Sequence, residues 1–136
     1  MAAPKEQAHV KAAARAAKQF VDTYYESLNR DRKSLHEFYA DDANIGWNGN
    51  ALVGGQQFAS FFEPMPKAFY DVQSYDAHPM GTNEDGTTNV LLLVSGAVKY
   101  GESNAKPRAF SDTFVLKPAG PAKYHVSSQG FRLVSP

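Results

Sequence analysis

The chain has 136 residues, a length that favours one domain over residues 1–136 and leaves little room for a second. Its 14 lysines and arginines equal its 14 aspartates and glutamates, and this balance disfavours direct nucleic-acid binding. The absence of cysteine excludes disulfide frameworks, thiolate zinc sites and cysteine nucleophiles. The start of the chain is polar and no apolar run is long enough for a membrane span, so we expect a soluble, intracellular protein with no membrane partner.

The first third of the chain has helical periodicity. Apolar residues recur at spacings of three and four and predict a helix over Glu6–Asn29 with one buried stripe: Val10, Ala14, Ala17, Val21, Tyr24 and Leu28. A shorter helix is predicted over Arg32–Ala40, and the polar pair Asp41-Asp42 predicts a turn that ends it.

The rest of the chain is dominated by strand signals. Asn48-Gly49 predicts a two-residue hairpin turn between short strands at Ile45–Trp47 and Ala51–Val53. A third, short helix is predicted over Gln57–Phe62, before Pro64 and Pro66. Four longer strands follow, at Ala68–Pro79, Asn89–Tyr100, Ala109–Lys117 and Lys123–Val134. This order predicts an α+β fold in which three helices cover one face of a curved antiparallel sheet.

Alternation along the last two strands separates the two faces of this sheet. Large residues of one parity are expected to face the helices, together with the carboxylate of Asp112: Phe110, Phe114, Leu116, Phe131 and Leu133. The residues between them are expected to point away from the helices: Ser111, Thr113, Val115, Gly130 and Arg132.

The strand segment Val90–Val94 lacks alternation, so both of its faces require cover. The pattern leaves two alternatives open, namely the middle strand of a closed core and a strand whose outer side meets another protein. An outward arginine on a neighbouring strand favours the second alternative, because arginine is enriched at interfaces. The predicted partner-binding residues are Leu91, Leu93, Thr113, Val115, Ser128 and Arg132.

No catalytic residue, metal site or cofactor is predicted. The four histidines lie on separate predicted elements without the spacing of a metal site. The adjacent carboxylates of Asp41-Asp42 are more typical of a solvated turn than of a general acid and base. Phosphate-binding glycine motifs are absent from the sequence.

Several segments together carry a family resemblance. They are A-x-R-A-A at residues 13–17 with Phe20-Val21 and Tyr24-Tyr25, W-N-G-N-A at 47–51, F-F-E at 61–63 before Pro66, G-A-V-K-Y at 96–100 and F-R-L at 131–133. Over about Val10 to Val134 the chain resembles the nuclear transport factor 2-like family, and within it the branch of related export proteins. The resemblance implies a cone-shaped α+β fold and a non-enzymatic adaptor.

The same resemblance implies partners and a location. The expected partner is the similar domain of the large messenger RNA export receptor subunit, a TAP-type nuclear export factor, in a heterodimer. Nucleoporin repeats are expected to be contacted through that partner, at the nuclear pore and in the nucleus, with shuttling to the cytoplasm. Arg132 matches the arginine that pairs with an acidic residue of the large subunit in this family.

Two other functions remain open for this fold. Homodimeric import carriers of Ran-GDP have a glutamate where this chain has Asn48, and an acidic cluster where Gly101–Ser103 has only Glu102. Ketosteroid isomerase and scytalone dehydratase use the same fold for catalysis. An open polar pocket that contains Asp112 and a tyrosine would favour an enzyme.

Overall fold

The helices lie on one face of a six-stranded sheet. The computed structural model describes residues 4–101 and 104–134. It contains α1 (Pro4–Arg30), a 3₁₀ helix (Arg32–Phe38) and α2 (Gly54–Phe62). The strands are β1 (Tyr39–Trp47), β2 (Asn50–Val53), β3 (Ala68–Met80), β4 (Asn89–Tyr100), β5 (Arg108–Pro118) and β6 (Tyr124–Leu133).

The long helix α1 packs on the sheet through alanines near its start and aromatic residues near its end. Its buried residues include Ala13, Ala17 and Tyr24, which confirms the predicted helix and its stripe from Ala17 onward. Val10 and Ala14 are exposed, contrary to the prediction. The buried stripe passes through Ala13 instead, and the next residue of a helix is turned about 100° away from it.

The sheet order is β2-β1-β6-β5-β4-β3, and every neighbouring pair is antiparallel except β1 and β6, which are parallel. The predicted turn at Asp41-Asp42 is wrong, because both residues lie inside β1 with their side chains exposed. The register with β6 shifts between Tyr39 and Asn44, so the two aspartates occupy the irregular part of the strand. Pairing with a distant strand overrides the local turn signal here.

The Asn48-Gly49 hairpin is confirmed, and both residues have positive φ, at 49° and 88°. Asn48 also forms two hydrogen bonds with the end of β6. Its backbone N–H donates to the carbonyl of Phe131 at 2.9 Å, and its Oδ1 accepts from the N–H of Leu133 at 2.9 Å. The polar side chain at this position therefore has a structural role within the chain.

The core between helices and sheet is filled by aromatic rings. Trp47 stacks on Phe131 with ring centroids 3.9 Å apart. Phe110 and Phe114, which were predicted to face inward, are buried, and so are Phe58 and Phe62 of α2, whereas Leu133 is half-buried. The Arg32 guanidinium lies 4.5 Å from the Phe62 ring centroid and donates to the carbonyl of Met65 at 2.7 Å.

Candidate protein interface on the outer sheet face

The outer face is the side of the sheet turned away from the helices. Its middle is built by β4, β5 and β6, in rows of residues that the strand register places side by side. The rows are Leu91–Val115–Ser128, Leu93–Thr113–Gly130 and Ser95–Ser111–Arg132. The structure thus brings all six predicted partner-binding residues into one patch three rows wide.

The exposure of β4 argues against the first alternative for its unbroken apolar run, the middle strand of a closed core. Val90, Leu92 and Val94 face the helices and are at most 2% exposed. Leu93 on the opposite side is 40% exposed, and Leu91 is half-buried. The outer side of this strand therefore has no cover from the described part of the chain.

The middle of the outer face is uncharged and its borders are charged. Side chains along the three rows are aliphatic or small and polar until Arg132, which is exposed. Within residues 4–101 and 104–134 no carboxylate forms a salt bridge with Arg132. The carboxylates of Asp71 and Asp76 are on the edge strand β3, which is separated from β6 by three strand spacings, or about 14 Å. Such a patch suits burial against another protein, with Arg132 available to a carboxylate of that protein.

A buried cluster of polar side chains lies on the opposite side of the sheet, between the sheet and the helices. Asp112 on β5 is fully buried, as the alternation predicted, and accepts hydrogen bonds from the Tyr25 hydroxyl at 2.7 Å and from Gln129 Nε2 at 3.0 Å. The Tyr39 hydroxyl donates to Gln129 Oε1 and also bonds the Tyr24 hydroxyl at 2.7 Å. All five side chains are at most 5% exposed.

Burial governs the ionisation of this cluster. It raises the pKa of Asp112 to about 8, against the lowering effect of the two hydrogen bonds that the carboxylate accepts. The pKa values of Tyr25 and Tyr39 are also raised well above their ordinary range by burial. The group has the composition of a catalytic site, but each side chain is bonded to another and sealed from solvent. The open polar pocket that would favour an enzyme is not formed around Asp112.

Sequence reasoning placed Asp112 inward but did not find its partners. Tyr25 is separated from Asp112 by 87 positions along the chain and Tyr39 from Gln129 by 90. The only available signal was the adjacent pair Tyr24-Tyr25 on the buried side of α1. Of the residues that bear on the import-carrier alternative, Asn48 is held by β6, while Glu102 and Ser103 lie outside the described residues.

No group of three or more histidines, aspartates or glutamates within residues 4–101 and 104–134 is arranged to hold a metal ion. None of the helices in that part of the chain is both long and apolar enough to cross a bilayer.

Comparison with known proteins identifies the family. The Nuclear transport factor 2 (NTF2) domain matches residues 16–133. The chain belongs to the nuclear transport factor 2 domain family. NTF2-related export protein 2 of Bos taurus is 36% identical over 111 residues, which cover 79% of this chain and 75% of the relative. The NTF2-related export protein of Caenorhabditis elegans is 36% identical over 120 residues, which cover 87% of this chain and 85% of the relative.

A solved structure shares the fold of this NTF2-family chain. The Candida albicans Mtr2–Mex67 M domain complex contains a chain that matches with a TM-score of 0.74 and 15% identity, over 91% of this chain and 97% of that chain. The predicted fold class and family resemblance are confirmed, with β1 and β6 as the one parallel pair in the sheet. The names of both relatives describe export proteins.

Proposed function

We propose that the chain is a non-enzymatic adaptor that supports nuclear export of messenger RNA. In this proposal its outer face binds the NTF2-like domain of the large mRNA export receptor subunit. The observation that carries the proposal is the solvent-accessible, uncharged patch of Leu91, Leu93, Thr113 and Val115 beside Arg132, which forms no salt bridge with any described residue. Two relatives more than one-third identical are export proteins, and a solved complex joins a chain of this fold to Mex67.

The charge on the outer face favours a different chain over a second copy as the partner. A guanidinium that leaves water at an interface costs several kcal/mol unless a carboxylate meets it. In a second copy the equivalent position is again Arg132, and like charges that face each other repel. A partner with a carboxylate opposite Arg132 satisfies the arginine and excludes self-pairing.

The proposed adaptor acts at the boundary between the nucleus and the cytoplasm. The heterodimer works in the nucleus and at the nuclear pore and shuttles to the cytoplasm, and the large subunit makes the contacts with nucleoporin repeats. This chain contributes the second half of a sheet-on-sheet interface. A specific interface of this kind buries at least about 1,000 Å² in total.

The mass of the purified chain tests the proposal. Light scattering is measured on the chain alone and after mixing with the NTF2-like domain of the large export receptor subunit from the same organism. We expect a 1:1 complex, whereas an enzyme of the same fold, used as control partner, leaves the mass of the 14.9 kDa chain unchanged. Absence of the complex contradicts the proposal. A stable homodimer that excludes the large subunit also contradicts it and favours a homodimeric carrier.

A further inference from the structure

A depression opens in the outer face next to Arg132. The parallel register of β1 and β6 places Gly46 directly beside Gly130, so two neighbouring positions on this face have no side chain. The open depression of about 400 Å³ is lined by these two glycines, Ser111, Thr113 and Arg132, among others. We refer to the space over Gly46, Gly130 and Thr113 as the glycine notch.

Neither backbone conformation nor a steric clash with the described residues explains these two glycines. Of its ten glycines, six have positive φ, which favours glycine over other residues. Gly55 and Gly96 have no room for a side chain, because a Cβ would collide with the backbone of His36 or Asp71. Gly46 and Gly130 fall into neither group: a Cβ at Gly130 meets nothing within 4 Å, and one at Gly46 lies at an ordinary 3.9 Å from the Gln129 carbonyl.

Glycine within a strand weakens the strand, because it loses more backbone entropy on folding and has no side chain to pack. Both strands are interior, since β1 lies between β2 and β6 and β6 lies between β1 and β5. Two neighbouring glycines with no need inside the chain indicate a place where a group from outside comes close to the backbone.

The lining of the notch defines the chemistry of that group. Backbone N–H and C=O groups of interior strands are directed to the neighbouring strands, so the floor of the notch is formed by Cα atoms and the Thr113 side chain, with Ser111 and Arg132 beside it. Two sheets packed face to face lie about 10 Å apart, and two missing side chains leave a void unless the opposite sheet fills it. An apolar group fits this surface, and Arg132 at its border can meet a carboxylate beside that group.

We propose that the glycine notch receives one bulky apolar side chain, aromatic or branched aliphatic, from the sheet of the partner's NTF2-like domain. A carboxylate next to that side chain pairs with Arg132. This inference rests on the proposed function. The partner is then selected by the shape of the side chain that fills the notch as well as by the carboxylate opposite Arg132. A domain with a small residue at the facing position leaves a void over Gly46 and Gly130 and binds less tightly.

Substitution at Gly130 tests the notch, because a side chain there enters the notch and its Cβ meets no atom of the described residues within 4 Å. The series Gly130→Ala and Gly130→Val, with Gly46→Val on the neighbouring strand, is titrated with the NTF2-like domain of the large subunit in a calorimeter. The matched control is Ala97→Val on β4, on the same face but two rows away. Thermal unfolding of each isolated variant checks its fold.

We expect Gly130→Val and Gly46→Val to weaken binding by roughly 10- to 100-fold, with Gly130→Ala between them and the original chain. The control stays within about threefold, and the unfolding midpoints of the glycine variants do not fall. In a scan of the partner's aromatic and branched residues to alanine, one variant should restore binding to Gly130→Val. That rescue identifies the side chain in the notch.

Three results overturn the inference, and they differ from one another. If the original chain binds the domain and Gly130→Val and Gly46→Val bind equally well, the notch is wrong while the proposed function stands. If the original chain binds no NTF2-like domain, the proposed function fails and the notch fails with it. If the original chain dimerises by itself and Gly130→Val abolishes that dimer, a second copy fills the notch and the partner assignment is wrong.

Discussion

Substitution of Arg132 shows whether this residue lies at the centre of the interface or at its rim, because the two positions differ in their contribution to the binding free energy. Removing one member of a buried charge pair costs about 2–5 kcal/mol of binding, whereas an exposed pair is worth about 0–1 kcal/mol. We predict that Arg132→Asp abolishes the complex with the large subunit in a pull-down experiment. The fold is expected to survive, because Phe131 and Leu133 still fill the opposite side of β6.

A charge reversal elsewhere provides the control for this prediction. Arg15→Asp makes the same change on an exposed position of α1, away from the outer face, and should leave the complex intact. A charge-swapped acidic residue in the partner should restore part of the binding to Arg132→Asp. Equal recovery of the large subunit by Arg132→Asp and by the original chain would place the arginine at the rim of the interface or outside it.

Asp112 gives the stability of the chain a particular dependence on pH. Its pKa is about 8 in the folded chain and about 3.9 in an unfolded one, so the folded state retains a proton that the unfolded state releases. Its contribution is complete below about pH 4 and is lost as the pH rises through 8, by at most about 1.4 kcal/mol per pH unit. We predict that Asp112→Asn flattens the fall in unfolding free energy between pH 5 and pH 8.

Urea denaturation at several pH values measures this effect. Asp76→Asn, at an exposed position on the edge strand β3, is the matched control and should keep the pH dependence of the original chain. An identical pH slope in Asp112→Asn and the original chain would show that Asp112 does not titrate in this range.

The β1–β2 hairpin depends on Asn48 for two separate reasons. A residue with a Cβ in the left-handed region is disfavoured by about 1–2 kcal/mol unless it is asparagine or aspartate, and the bond to Leu133 N–H adds about 0.5–1.5 kcal/mol. We predict that Asn48→Ala lowers the free energy of unfolding in urea more than Asn48→Gly, because glycine keeps the backbone conformation and loses only the bond. Equal losses would leave the bond as the whole contribution of Asn48.

Local patterns predicted the elements of this fold well and their distant pairings poorly. The Asn48-Gly49 signal and the alternation along β5 and β6 act within a few residues, and they gave the hairpin and the outward position of Arg132. The turn predicted at Asp41-Asp42 was wrong because β1 is extended by pairing with β6, which is more than 80 positions away. For the same reason the sequence did not reveal that Gly46 lies beside Gly130.

The whole molecule should gain stability from its partner. A ligand that binds only the folded state adds about 2.7 kcal/mol of stability at a concentration 100 times its Kd. For a chain of 136 residues we expect the unfolding midpoint to rise by roughly 10 °C when the large-subunit domain is added at that excess. Scanning calorimetry of the chain, the domain and the mixture measures this shift. A mixture that unfolds as the sum of its two components would contradict it.

The position of β6 has a consequence for how the protein is made. This strand is the last of those described along the chain, yet it lies in the interior of the sheet, between β1 and β5. A growing chain therefore has Trp47 without its stacking partner Phe131 until residues 124–133 have left the ribosome. Domains with unpaired strand edges and exposed apolar surface are prone to aggregation at this stage. Chaperones that act on nascent chains should thus be needed until β6 has been synthesised, because the sheet stays open until that strand is inserted.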